Sequence, residues 1–142
     1  MALIVDIAEA VVVELNAGEF SQAFAAQRLY RPQFDLAEMA DLHVTVVPKG
    51  IETSIASRSG VQCDVSVDVA VQKKLQTEDA DEIDPLMSLV EEIADFFRGR
   101  KLSQCPKASW VATANEPVYS PAHLEELRQF TSVLTVTFRV MR

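Results

Sequence analysis

The residues of this 142-residue chain that could do chemistry are few and far apart. His43 and His123 stand 80 positions from each other, one in a strand-like pattern and the other in a short helical one. Neither has a Cys or a carboxylate at ligand spacing. A general base also needs an oriented partner within hydrogen-bond reach, so neither histidine is read as catalytic. Ser54, Ser57 and Ser59 flank a turn, but no G-x-S-x-G surrounds any of them, and nucleophilic catalysis has no foothold. Asp64, Ser66 and Asp68 look like the start of a calcium loop. Such a loop needs Gly at position six and Glu at position twelve, where this chain offers Val69 and Leu75. Spacing by twos puts the three on one solvated face of a strand instead.

The remaining candidates reduce in the same way. Cys63 and Cys105 form no C-x-x-C pair and have no His at metal-ligand spacing, so two reduced core thiols are expected. The run Glu78-Asp79-Ala80-Asp81-Glu82 leads into a helix and reads as a solubilising connector rather than a cation site. The four glycines, at 18, 50, 60 and 99, are too scattered to make a phosphate-cradling loop. No catalytic, cofactor-binding or metal-ligating residue is assigned, and no cofactor is expected.

Thirteen basic against twenty-one acidic side chains leave a net charge of −8, which disfavours DNA or an anionic membrane as an electrostatically held partner. No stretch approaches the roughly 18 apolar residues of a membrane span. The first fifteen residues lack a basic leader and carry Asp6, Glu9 and Glu14, so no secretory signal is read there. With 49% apolar residues, a chain this long buries enough surface for one core without staples, and residues 1–142 are read as one domain.

The elements that position these residues can be read from periodicity. Ile4, Ile7, Ala8, Val11, Val12 and Leu15 share a face at helical spacing over residues 3–16, with Gly18 as a left-handed stop. Residues 23–31 look extended and 34–41 form a possible helical turn. A strand starts at Leu42, and Pro48-Lys49-Gly50 bends or bulges it rather than ending it. From Val61 to Val71 the odd positions are apolar and the even ones mostly polar, which makes a half-buried strand. With the turn Ser57-Arg58-Ser59-Gly60 between them, 42–71 reads as a long β-hairpin with its tip near Arg58. A second helix is capped by Asp84, has Pro85 in its first turn, buries Ile83, Leu86, Val90, Ile93, Ala94 and Phe97, and ends at Gly99. A short strand over 109–113 follows, then helical turns from Ser120-Pro121 to about Arg128. A final strand over 130–141 turns Phe130, Leu134, Val136, Phe138 and Val140 inward, with Ser132 out of pattern. The fold class is α+β: a mostly antiparallel sheet of about five strands with a long projecting β-hairpin, and two main helices packed on one face.

The order of these elements, the helix around Glu91-Glu92-Ile93-Ala94-Asp95-Phe96-Phe97, the loop Glu116-Pro117-Val118-Tyr119-Ser120-Pro121-Ala122-His123-Leu124 and the Thr-rich last strand together resemble the tail-terminator and related tail-completion proteins of tailed bacteriophages and prophages. The resemblance implies a non-enzymatic structural virion protein of the tail or neck, assembled in the host cytoplasm. Its copies would form a homo-oligomeric, typically hexameric, ring on the head-proximal end of the tail tube. The ring would stop tube polymerisation and offer a docking surface for the head connector, with DNA passing through it and no sequence-specific nucleic-acid or membrane contact. Its partners would be the tail tube protein and a head-tail connector or stopper protein.

Under this reading the subunit or tube contacts draw on Ser57, Arg58, Ser59 and Gly60 at the hairpin tip and on Glu116, Pro117, Val118, Tyr119 and Ser120. Arg58, the only cation in its turn, is the candidate for a cross-subunit ion pair. Two alternatives stay open. One is a head-tail stopper or adaptor of the same kind of particle; the other is a small oligomeric cytoplasmic enzyme with a site between subunits.

Overall fold

The structure is a computed structural model that describes residues 2–30, 42–75, 80–115, 118–119, 121 and 129–142. The chain runs through α1 (Leu3–Ala17), β1 (Ala26–Arg28), β2 (His43–Ile55), β3 (Val61–Lys74), α2 (Ala80–Phe97), β4 (Lys101–Leu102), β5 (Cys105–Asn115) and β6 (Gln129–Met141). One six-stranded sheet has the order β1-β2-β3-β6-β5-β4. Only β1 and β2 pair in parallel, and every other neighbour is antiparallel. The architecture is the α+β one expected, with a sixth strand added by the two-residue β4.

The alternation of β3 sets the core. Val65, Val67, Val69 and Val71 are fully buried and lie opposite Phe138, Val136, Leu134 and Ser132 of β6. On the other side Val44 and Val46 of β2 oppose Val71 and Val69. Facing residues in an antiparallel pair share a sheet face, so this one surface is apolar across three strands. Ile7, Val11 and Leu15 of α1 and Leu86, Leu89, Ile93 and Phe97 of α2 close over it in a single cluster. Ser132 sits in this face without penalty, because Asn115 Nδ2 donates to its hydroxyl at 3.0 Å. Asn16, at the end of α1, clamps β1: its Oδ1 accepts from the Ala26 amide at 2.7 Å and its Nδ2 donates to the Ala26 carbonyl at 3.3 Å.

The hairpin forms as expected. Its register shifts between Pro48 and Gly50, so the Pro-Lys-Gly stretch bulges β2 without ending it. Four expectations need correction. Gly18 is extended, with φ −80° and ψ 160°, and is not a left-handed stop. A Cβ there would lie 2.8 Å from the Phe20 ring and 2.9 Å from the Phe96 ring, so the position serves close approach. The left-handed stop belongs to Gly99, φ +72°, at the end of α2. Next, α2 begins at Ala80, which puts Asp84 and Pro85 inside the helix. Asp81 and Glu82 supply the acidic first turn that favours the positive helix end, and the proline gives up one backbone bond on an exposed side. Third, the strand expected over 109–113 extends over the whole of β5. Fourth, the outer sheet face is not solvated throughout: Thr45, Ala70, Gln72, Gln129 and Thr131 are buried at one end of it. The possible turn over 34–41 and the helical turns after Pro121 lie outside the described residues.

Candidate functional site

The outer sheet face holds the carboxylates that resembled a calcium loop, and cross-strand partners occupy them. Arg139 donates to both Asp64 oxygens, from Nε at 2.9 Å and Nη2 at 3.2 Å. This fork holds the Asp64 carboxyl below the usual carboxylate range, chiefly through its hydrogen bond, which outweighs the opposing effect of burial, with the Arg139 charge adding to it. Thr135 donates to Asp68 at 2.6 Å, Lys49 lies 3.8 Å from the same carboxylate, and the Ser66 and Thr137 hydroxyls meet at 2.9 Å. Both Asp64 oxygens and one Asp68 oxygen are thus engaged with the neighbouring strands. Among the described residues no group of three or more His, Cys, Asp or Glu side chains gathers to hold a metal.

Other polar concavities are spent in the same manner. A groove of about 460 Å³ between α2 and the segment after α1 is lined by Ser21, Gln22 and Glu92, among others. There Glu92 accepts from both the Ser21 amide and hydroxyl, and Gln22 donates to the Pro85 carbonyl at 3.2 Å. His43 lies in β2 and His123 outside the described residues. Cys63 is buried and Cys105 half-buried, both as free thiols.

One buried charge has a structural task. Glu14, 5% exposed, accepts from the Ser103 amide at 2.6 Å and from Arg100 Nη1 at 3.1 Å. Arg100 in turn donates from Nε to the Phe96 carbonyl at 3.1 Å and stacks 3.8 Å above the Phe96 ring. Burial pushes the Glu14 carboxyl up, but the hydrogen bonds from Ser103 and Arg100 outweigh it and leave the group below its ordinary value. The clasp fastens α1 to the two turns that flank β4.

What the fold presents outward is the hairpin. Every residue from Ile51 to Ser59 is exposed. The tip is closed by the Ala56 and Ser57 amides, which donate to the Gly60 carbonyl at 3.1 and 3.2 Å. Arg58 has no ion-pair partner among the described residues. Val118 and Tyr119 are exposed too, while Glu116, Pro117 and Ser120 lie outside the described residues. The tip and Asn115, the residue before the second expected contact segment, stand at different levels of the sheet. Gln62, beside the tip, pairs with Met141, whereas Lys74 pairs with Gln129 at the far end of the sheet. Asn115, which leads into the 116–120 loop, sits opposite Leu134 toward that far end. Leu134 in turn faces Val69, so Asn115 stands eight residues of β3, about 26 Å, from the level of Val61.

Sequence reasoning missed an apolar flank. Ile51, Ile55 and Val61 are 45%, 87% and 38% exposed, and register puts them on the helix-covered side of the sheet, Ile51 opposite Val65 and Ile55 opposite Val61. They continue the core face past the point where α1 and α2 cover it. The signal was available: Val61 opens the same alternation whose later members are buried.

No protein-family model matches the chain, and no curated protein does. Among solved structures, the chain is similar in fold to a chain of the "Virion of native gene transfer agent (GTA) particle", with a TM-score of 0.53 and 10% identity over 99% of this chain and 96% of that one.

Proposed function

We propose that this chain is a structural component of a phage-like virion and serves as a tail terminator. In this reading its copies close a ring, hexameric in the family it resembles, on the head-proximal end of the tail tube, stop tube growth and offer a face to the head connector. The observation that carries the reading is the likeness in fold, nearly end to end in both chains, to a chain of a gene transfer agent virion. The spent chemistry of the polar clusters is consistent with a role carried by shape.

The physical requirements are modest. Identical protomers joined head to tail close into a ring when the rotation per copy divides a full turn, and each copy then needs two different, complementary patches. The hairpin tip from Ser57 to Gly60 and the segment from Glu116 to Ser120 are the two patches this reading assigns. A net charge of −8 per copy gives little counterion-release affinity for phosphates, as a passage for DNA requires.

Electron microscopy of the protein mixed with isolated tail tubes is expected to show a ring at one end of each tube and tubes that no longer lengthen. Binding to DNA-filled heads rather than tubes would reassign the chain as a head-tail stopper or adaptor. Binding to neither, together with turnover of a small molecule that is lost on changing His43 or His123, would overturn the virion reading. Within it, Arg58→Glu is expected to reduce ring mass or tube capping, and unchanged values would remove Arg58 from the contact.

A further inference from the structure

The two ends of the sheet share a construction that the terminator reading does not explain. Each edge strand is very short, β1 with three residues and β4 with two. The strands they cover, β2 and β5, have 13 and 11. β1 pairs β2 only at Val44, Thr45 and Val46, and β4 pairs β5 only at Ser109 and Cys105. Among the described residues no strand pairs with the outer side of β2 from Val47 to Ile55 or of β5 from Trp110 to Asn115.

Open edges are ordinarily blunted by proline, lysine, bulges or very short strands. Here those devices leave one end of each strand free. In β2, Pro48, Lys49 and the bulge at 48–50 are followed by Ile-Glu-Thr-Ser-Ile, with one charge and no proline. In β5, Pro106, Lys107 and the bulge at 110–112 are followed by Thr-Ala-Asn, with neither charge nor proline. The unblunted half of β2 is also where the apolar side chains emerge, Ile51 and Ile55 with Val61 beside them. Their exposures amount to an apolar area on the order of 300 Å², as large as the largest patch of many monomers. That is a substantial apolar centre for the roughly 800 Å² per partner that a stable specific interface buries.

We propose that a second copy of this chain occupies this surface, its β5 edge adding to the β2 edge between Ile51 and Ile55 and its side chains covering Ile51, Ile55 and Val61. An extended strand is the occupant that satisfies a row of open amides and carbonyls. The described sheet offers one other unblunted edge, on its opposite side. Joining the two covers both of these edges in every internal copy, and because the two edges differ, the contact is head to tail. The inference deepens the ring reading and rests on it for the closure of the assembly. It moves the contact from the polar tip to the apolar flank behind it.

The test is sedimentation velocity of the full chain from about 1 to about 500 µM, with amide hydrogen exchange at both ends of that range. The wild-type protein is expected to self-associate, with exchange slowed at residues 51–55 and 110–115 as concentration rises. Ile55→Asp is expected to weaken association at least tenfold with an unchanged far-ultraviolet spectrum, because an exposed side chain contributes little to the fold. Should Ile55→Asp not fold, the wild-type exchange pattern decides alone. Association that Ile55→Asp leaves intact, with unchanged exchange at 51–55, would overturn this contact while the ring reading stands. Protection at 51–55 without protection at 110–115 would remove β5 as the partner strand. A wild-type protein that stays monomeric throughout would overturn the self-docking proposal, whatever tail tubes then show.

Discussion

Replacing Glu14 by Gln tests whether the clasp between α1 and the turns flanking β4 is a charged one. The carboxylate is 5% exposed and accepts two hydrogen bonds, from the Ser103 amide at 2.6 Å and from Arg100 at 3.1 Å. Glutamine keeps one oxygen for Ser103 but turns an amide NH2 toward the guanidinium, donor against donor. Hydrogen bonds to a charged group contribute about 1.5–3 kcal/mol and neutral ones about 1. The Arg100 side chain is 40% exposed, so water recovers part of what it loses. The expected net cost is about 1–2 kcal/mol at pH 7, which for a domain of this size lowers the melting temperature by roughly 3–6 °C.

The pH dependence fixes the mechanism. The folded-state pKa of Glu14 is lowered from an ordinary value of 4.5. Its contribution is therefore fully present above that ordinary value and is lost as pH falls through the lower, folded one. Urea denaturation of both proteins from pH 7 down to pH 3 is expected to show a stability difference that is constant above about pH 5 and shrinks below about pH 4. A difference below about 0.5 kcal/mol at pH 7, or one that does not change with pH, would refute a charged clasp and leave Glu14 as a packing residue.

Other outcomes follow from the same structure. Leu89, fully buried under α2, is expected to cost about 2–5 kcal/mol on change to Ala, and a urea-derived loss below 1 kcal/mol would contradict its place in the core. Gly99→Ala forces a side chain into φ +72° and should cost about 1 kcal/mol. Gly18→Ala drives a Cβ against the Phe20 and Phe96 rings and should cost about 1–3 kcal/mol; a silent Gly18→Ala in thermal unfolding would show that the rings give way freely. Millimolar calcium is expected to leave the melting temperature unchanged, because Asp64 and Asp68 are engaged by Arg139 and Thr135. A calcium-dependent rise would restore them as ligands.

Much of the fold could be read from spacing. The β3 and β6 alternations predict the inward residues, and Phe130, Leu134, Val136, Phe138 and Val140 are all buried. They succeed because a period of two has one solution once one face is covered. The helix start at Ala80 was misread because the Asp84-Pro85 pair is a strong local signal for a first turn. The apolar Ile83, Leu86 and Leu89 spacing pulls the helix further back onto the sheet. Glu14 in the α1 pattern carries no mark of its partners, Arg100 and Ser103, which are 86 and 89 positions away in the chain.

The exposed flank of the hairpin was hidden for a different reason, one that lengths expose. Helices rise about 1.5 Å per residue, so α1 with 15 residues and α2 with 18 are roughly 23 and 27 Å long. β3, with 14 residues at about 3.3 Å each, is roughly 45 Å long. Neither helix laid along the hairpin can reach both of its ends, so part of an apolar face that is periodic throughout must emerge from under the helix layer. Periodicity reports which side of a strand is apolar. It says nothing about where the cover stops, and there the chain leaves Ile51, Ile55 and Val61 in water although their pattern is that of a core. Leaving three β-branched side chains uncovered beside an unblunted edge invites aggregation. A free-standing monomer gains nothing from that arrangement, whereas a protomer that pairs its edges gains its contact there.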